Sequence, residues 1–293
     1  MITSQQLSKY YQEYSGSEVT FTREVAQTLR LLPRQVFLKC QAETLPCIIY
    51  SSSLCAAKVI ANLRAEALRL LQQSSGMLAL RFCFARDESG APLAFFVAAR
   101  LTGQTAYNKE TPELYFLSLE YTHRPPDDLI EILGELQEAN SNAQKRAEER
   151  IEVSPASMKH LGLESREAAL FVDGVEGRCL LRDLSFSGAK VLVYGKQEAL
   201  REKPVLLSLC LADQKTPLTL AGRVLRWESM ANREDIGAIA ILFEPDGIPM
   251  QYKLAINASL RQHNHSGVPG LRPGVPGLRA GVPGSPAAGG ARG

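Results

Sequence analysis

Two short stretches of the chain carry residue types suited to holding an anion and a nucleotide base. The first is Lys145, Arg146 and Arg150. The second holds Asp183, Ser185 and Gly188 within six positions. A guanidinium fork donates two parallel N–H bonds to a phosphate, a carboxylate or the O6/N7 edge of guanine. A carboxylate such as Asp183 accepts from the amine and imine of the opposite guanine edge, and a serine hydroxyl donates or accepts as needed. A glycine leaves the backbone open to close approach. On a helical turn Arg146 and Arg150, four apart, share a face.

Each stretch also has an ordinary reading. Asp, two Ser and Gly in six positions is turn chemistry. Asp183 and Ser185 would then bond their own backbone, and Gly188 would supply a positive φ at a hairpin corner. Arg146 and Arg150 would form a solvated face stitched by Glu148 and Glu149, a kind of pair worth little. The Arg-x-x-x-Arg spacing recurs at Arg30/Arg34 and Arg178/Arg182. Only Arg146/Arg150 stands shortly ahead of an Asp-x-Ser-x-x-Gly stretch, at what reads as the junction of two domains. Arg30/Arg34 has no such stretch behind it and reads as structural.

That ordered pair of stretches resembles the PilZ domain, a β-barrel module that binds cyclic di-GMP. The resemblance covers roughly residues 140 to 260, and the region before it also resembles the PilZ-like N-terminal domains of two-domain receptors. It implies that Arg146 and Arg150 hold guanine and phosphate, with Asp183, Ser185 and Gly188 lining the other side from the barrel. In the family the position of Lys145 influences whether one ligand or a stacked pair binds, and a basic residue leaves room for the pair. The implied function is a bacterial cyclic di-GMP receptor acting in motility, virulence or another second-messenger response through an unknown downstream protein. Ligand would pull the basic connector onto the barrel and reorient the domains. The alternative is a degenerate PilZ-like adaptor that contacts proteins and binds no nucleotide.

Bulk properties narrow the field. The 293 residues are 45% hydrophobic and 22% charged, with a formal net charge of +2. Those values suit two globular domains and give no broad basic field for duplex nucleic acid. Cys40, Cys47, Cys55, Cys83, Cys179 and Cys210 show no C-x-x-C spacing and have apolar neighbours, so they read as buried thiols. His263 and His265 lie near the end with no carboxylate or cysteine close by, so neither a metal nor another cofactor is expected. The sequence lacks a P-loop, H-E-x-x-H or G-x-S-x-G pattern, so no enzyme is expected. The polar N-terminus and the lack of a spanning apolar run place the protein in the cytoplasm by expectation, with no membrane insertion.

The elements that would position these residues follow from periodicity. The chain reads as mainly β with a few helices: two β-barrel-like, PilZ-type domains joined by a helical and basic linker, then a disordered Gly/Pro tail. The expected boundaries are 1–124, a linker at 125–145, 146–262, and a tail at 263–293. In the first domain, β-type runs are expected near 35–39, 46–50, 77–84, 93–101 and 114–121. Residues 57–61 are ambiguous between helix and strand, and 62–71 has helical spacing. A turn at 87–90 is expected between two of the runs. A segment at 23–32 reads as a short helix or an irregular lead-in.

Arg124, two prolines and two aspartates open a helix whose apolar stripe is Leu129, Ile132, Leu133 and Leu136. Its stripe fades from Glu138 onward, so the connector is expected to be loosely held after Gln137. In the second domain, strands are expected near 169–172, 177–183, 189–194, 205–211, 218–228 and 236–243, and a late helix over 247–260. Trp227 reads as core rather than as a base-stacking platform. The tail repeats Gly-Val-Pro-Gly with a period of seven, which buries too little surface to fold.

Overall fold

The structure is a computed structural model that describes residues 2–265, other than 65, 68, 70, 72–74, 87–89, 109, 112, 195–199, 213–215 and 231–232. The Gly-Val-Pro-Gly tail lies outside the described residues. So do part of the expected 62–71 helix and most of the expected turn at 87–90.

The first half opens with α1 (Ser4–Tyr14), capped by Thr3, whose hydroxyl accepts from the Gln6 N–H at 3.2 Å. Next come β1 (Val19–Thr20) and α2 (Arg23–Thr28), the latter capped by Thr22. Strands β2 (Phe37–Cys40), β3 (Glu43–Ser52), β4 (Ala56–Asn62), β5 (Met77–Phe84), β6 (Leu93–Ala106) and β7 (Leu114–Tyr121) follow. The ambiguous run at 57–61 is strand β4. Ala57, Val59 and Ala61 point into the core while Lys58 and Ile60 alternate outward, the two-residue period of a half-buried strand. These strands pair in the order β3-β2-β5-β6-β7-β4, and a further β3–β4 pairing closes the ring into a six-strand barrel with β1 added beside β3.

A long helix, α3 (Asp127–Lys145), leaves the first barrel, with Asp127 and Asp128 at its positive end. It does not fade after Gln137. Glu138 and Ala139 are buried, and the helix continues two further turns, so the connector is firmly held there. What the sequence shows as a lost apolar face is a polar face with partners elsewhere in the chain. The Glu138 carboxylate accepts from the Tyr10 hydroxyl at 3.0 Å and from the Asn257 amide at 2.9 Å. Asn142 donates to Asn257 at 2.7 Å. Arg261 donates to Tyr10 at 2.7 Å and to Glu135 at 2.8 Å. Gly134 lets α1 come this close, since a Cβ there would stand 2.3 Å from the Tyr10 ring. Burial raises the Tyr10 phenol pKa well above the ordinary value, so the hydroxyl stays protonated and donates.

The second half repeats the plan. It runs β8 (Ile151–Glu152), α4 (Pro155–Leu161), β9 (Glu167–Val172), β10 (Val175–Leu184), β11 (Gly188–Tyr194), β12 (Pro204–Leu209), β13 (Leu218–Met230), β14 (Arg233–Phe243) and α5 (Met250–His265). A reciprocal Ser154/Ser157 capping box and Pro155 start α4, which the sequence reading missed for want of length. The pairing order β10-β9-β12-β13-β14-β11, closed by β10–β11 with β8 beside β10, matches the first barrel strand for strand. Trp227 packs against the second core, over Gly237, where a side chain would stand 2.1 Å from the indole nitrogen.

Each barrel has its own apolar core, and each lends the other a helix. Met250 of α5 belongs to the first core, while Ala143 of α3 packs on the second. The cysteines are all free thiols, but Cys55 and Cys210 are exposed, against the expectation that all are buried. Both stand just beyond a strand end, where apolar neighbours in sequence do not imply a covered position. Burial pushes the Cys47 and Cys179 thiols up to about 12. Among the described residues no group of three or more His, Cys, Asp or Glu is placed to hold a metal ion, and no helix is long and apolar enough to cross a membrane.

Candidate ligand site

The candidate residues lie at the corner where α3 runs into the second barrel. Lys145 is the last residue of α3 and is exposed. Arg146 caps the helix, its N–H donating to the Asn142 carbonyl at 2.8 Å, and the chain then turns, with the Glu149 N–H on the Arg146 carbonyl at 3.0 Å. Arg150 immediately precedes β8, which pairs with the end of β10: Asp183 faces Glu152 and Leu184 faces Ile151. A bulge in β10 between Leu181 and Asp183 re-aims the strand at that point. The result is an ion pair between Arg150 and Asp183 at 2.5 Å, with the aspartate side chain 15% exposed and the arginine 39%.

Asp183 therefore does not bond its own backbone in the way a simple corner would suggest. Ser185 does: its hydroxyl accepts from the Gly188 N–H at 3.1 Å, and its own N–H donates to the Gly188 carbonyl at 2.8 Å. Gly188 does not have a positive φ. It is needed for another reason, because a Cβ there would stand 2.2 Å from the Ile241 carbonyl oxygen of β14. Ser185 and Gly188 thus build and seat the turn, both buried, while Lys145, Arg146, Arg150 and Asp183 present polar atoms toward solvent.

Several residues that the sequence reading passed over tie the two stretches together. The Ala147 carbonyl accepts from both the N–H and the hydroxyl of Ser187, at 3.2 and 2.9 Å. Tyr252 of α5 donates to the Ser185 carbonyl at 2.8 Å, its ring edge-on to Phe243. Lys190, paired across the ladder with Asp183, bonds Glu228 at 2.5 Å, and Arg226 holds the other Glu228 oxygen at 2.8 Å. The Lys190 hydrogen bond, more than any other influence, holds the Glu228 carboxyl below its ordinary pKa. Ser187 lies inside the recognised stretch, but at a position where its residue type carries no signal. Tyr252 and Glu228 are brought in by tertiary folding alone. Arg146 is paired with Glu149 at 2.8 Å, the surface stitching that the ordinary reading anticipates.

Two closed six-strand barrels, the second with a basic connector docked on an Asp-x-Ser-x-x-Gly hairpin, define a two-domain PilZ-type protein. A family model described as the PilZN3 domain matches residues 5–140. A Treponema denticola protein described as a cyclic di-GMP binding protein is 41% identical over 254 residues, covering 87% of this chain and 81% of its own. At that identity and coverage the chain belongs to the PilZ family, in the same group as that protein. Among solved structures, the Borreliella burgdorferi PlzA protein in complex with c-di-GMP is 22% identical and has a TM-score of 0.40, covering 87% of this chain and 98% of that one. YcgR from Escherichia coli in complex with c-di-GMP is 14% identical with a TM-score of 0.27, covering 83% of this chain and 89% of that one.

Proposed function

We propose that the protein is a cyclic di-GMP receptor whose ligand binds at the corner formed by residues 145–150 and the 183–188 hairpin. The observation that carries this reading is the Arg150–Asp183 pair at 2.5 Å, which joins two sequence-distant stretches at one edge of the barrel. The name of the Treponema denticola relative supports the ligand class. Arg146 and Arg150 supply forks for phosphate and guanine, and Asp183 supplies the acceptor for the guanine amine. Lys145 adds a cation at the exposed end of α3. Ser185 and Gly188 act by fixing the hairpin.

The receptor passes its signal through helices. Ligand that draws Arg146 and Arg150 away from their present partners pulls on the C-terminal end of α3. That helix is bonded to α5 through Asn142 and Glu138, and α5 reaches the same hairpin through Tyr252. A shift at the corner therefore biases the packing of α1, α3 and α5, and with it the relative placement of the barrels. The output is a changed surface for a downstream protein.

Calorimetric titration with cyclic di-GMP, with GTP and cyclic GMP as controls, tests the binding. Wild type gives a saturable isotherm. Arg146→Ala and Asp183→Ala each weaken it more than tenfold, about 2 kcal/mol for a charge-assisted contact. No heat in the wild type, with an unchanged melting temperature, would replace the receptor by the ligand-free adaptor. Solution scattering with identical curves with and without saturating ligand would refute the reorientation.

A further inference from the structure

The two arginines of the candidate site are already occupied by carboxylates of the chain itself. Arg150 holds Asp183, which belongs to the recognition set. Arg146 holds Glu149, which does not. The Glu149 contact is side-on: Nε of Arg146 meets Oε2 at 2.8 Å and Nη2 meets Oε1 at 3.4 Å. That is the two-point geometry by which a guanidinium takes a phosphate, or the paired acceptors of a guanine edge. The pair is held in place by its own backbone, since the Glu149 N–H bonds the Arg146 carbonyl and brings the carboxylate back over the arginine. Both side chains are close to 30% exposed, 31% for Arg146 and 29% for Glu149, so the site is open to an incoming anion.

We infer that Glu149 is an internal stand-in for the ligand, a carboxylate that occupies the Nε/Nη2 edge of Arg146 and must be displaced for that edge to bind phosphate or base. Its role is to set the affinity: it keeps Arg146 pre-aimed and satisfied in the free protein and competes directly with the ligand. This inference rests on the receptor reading above and deepens it. Removing Glu149 therefore strengthens binding, whereas removing Arg146, Arg150 or Asp183 weakens it.

The neighbouring Glu148 provides the control. It is exposed, carries the same charge one position away, and forms no ion pair among the described residues. Glu148→Gln changes the general electrostatic field at the site by as much as Glu149→Gln but leaves the Arg146 fork occupied.

The test is titration of full-length wild type, Glu149→Gln and Glu148→Gln with cyclic di-GMP at one fixed salt concentration, with melting curves to confirm that each variant is folded. Expected is tighter binding by Glu149→Gln, about three- to fivefold, the range of a partly exposed ion pair, against less than twofold for Glu148→Gln. Equal or weaker binding by Glu149→Gln overturns the inference while leaving the receptor intact. Equal gains in both variants overturn it too, since field alone would then suffice. Absence of binding in all three proteins overturns the receptor reading, and the inference with it.

Discussion

The two barrels have one topology and opposite corner chemistry. Position for position, the β3–β4 hairpin of the first barrel matches the β10–β11 hairpin of the second. In each, a two-residue strand pairs with the end of the longer hairpin strand, and a bulge lies just before the turn. Ser51 stands where Asp183 does, and Ser53 where Ser185 does. Ser53 also takes the same two bonds: its N–H donates to the Ala56 carbonyl at 2.8 Å, and the Ala56 N–H donates to its hydroxyl at 3.1 Å. Ala56 therefore occupies the place of Gly188. Glu18, immediately before β1, occupies the place of Arg150 before β8, and it bonds Ser51 and Lys58. Lys58 in turn matches Lys190.

The comparison separates what the fold needs from what a ligand needs. Both barrels keep the serine that closes the turn and the lysine on the adjacent strand. Only the second barrel puts a cation before the short strand and a carboxylate at the bulge. The first puts a carboxylate and a hydroxyl there, which repels a phosphate instead of attracting one. With position 18 acidic, Lys58 finds its counter-charge on that residue. With the equivalent position taken by Arg150, Lys190 draws its counter-charge from Glu228 on β13.

The largest effect that tests this comparison is steric. Gly188→Ala places a methyl 2.2 Å from the Ile241 carbonyl and is expected to cost about 3 kcal/mol, the upper end for overpacking, read as a lower denaturant midpoint. Its mirror, Ala56→Gly, changes stability by about 1 kcal/mol or less, the cost of added backbone freedom. A loss from Gly188→Ala no larger than that from Ala56→Gly would mean that the Ile241 carbonyl does not crowd this position and that the two hairpins are packed alike there.

Next in size is the ligand effect. Arg150→Ala weakens cyclic di-GMP binding more than tenfold, about 2 kcal/mol, while Glu18→Ala and Ser51→Ala leave it within about twofold, since both residues belong to the hairpin corner of the first barrel and bond each other there. Calorimetry that found binding sensitive to Glu18 would place ligand at the first barrel as well.

The smallest effect is on acid stability. The Ser51 hydrogen bond lowers the Glu18 pKa, and the Lys190 hydrogen bond lowers that of Glu228, both from an ordinary value of 4.5. A carboxylate with a depressed folded pKa adds stability that is fully present above the unfolded value. That stability is lost as pH falls through the folded value. Both groups are about 40% exposed, 42% for Glu18 and 39% for Glu228, so solvent screening keeps each contribution small. Melting temperature followed downward from pH 4.5 should decline less steeply in Glu18→Gln and Glu228→Gln than in wild type. An unchanged acid limb in both would show that these pairs contribute nothing.

The sequence carried its strands openly, because two-residue alternation is a local property. Val191 between Lys190 and Leu192 can be read without knowing the neighbours, whereas the run at 57–61 is ambiguous in sequence and becomes a strand by pairing with β3 and β7. It also carried the Asp-x-Ser-x-x-Gly stretch, whose residue types serve their own backbone over a few positions. Short helices such as α4 escaped because one or two turns give too few repeats of the helical period. Residues 138–142 were misread because periodicity registers an apolar face and is blind to a buried polar one. Glu138 is satisfied by Gln6 and Tyr10 on one side and by Asn257 and Arg261 on the other, all more than a hundred residues away.

Other features were decided by the tertiary structure alone. Gly188 is small because Ile241 of β14 passes beside it, a contact made by closing the barrel. Arg150 meets Asp183 because β8 pairs with the end of β10 and a bulge turns the aspartate toward it. The likeness of Ser51, Ser53 and Ala56 to Asp183, Ser185 and Gly188 is hidden in the residue types, since two of the three differ, and becomes visible only through matching registers and hydrogen bonds. Residue type fixes what a side chain can bond. Strand pairing and helix packing fix which distant partner comes within bonding distance, because those positions depend on long-range contacts that no local window of sequence contains.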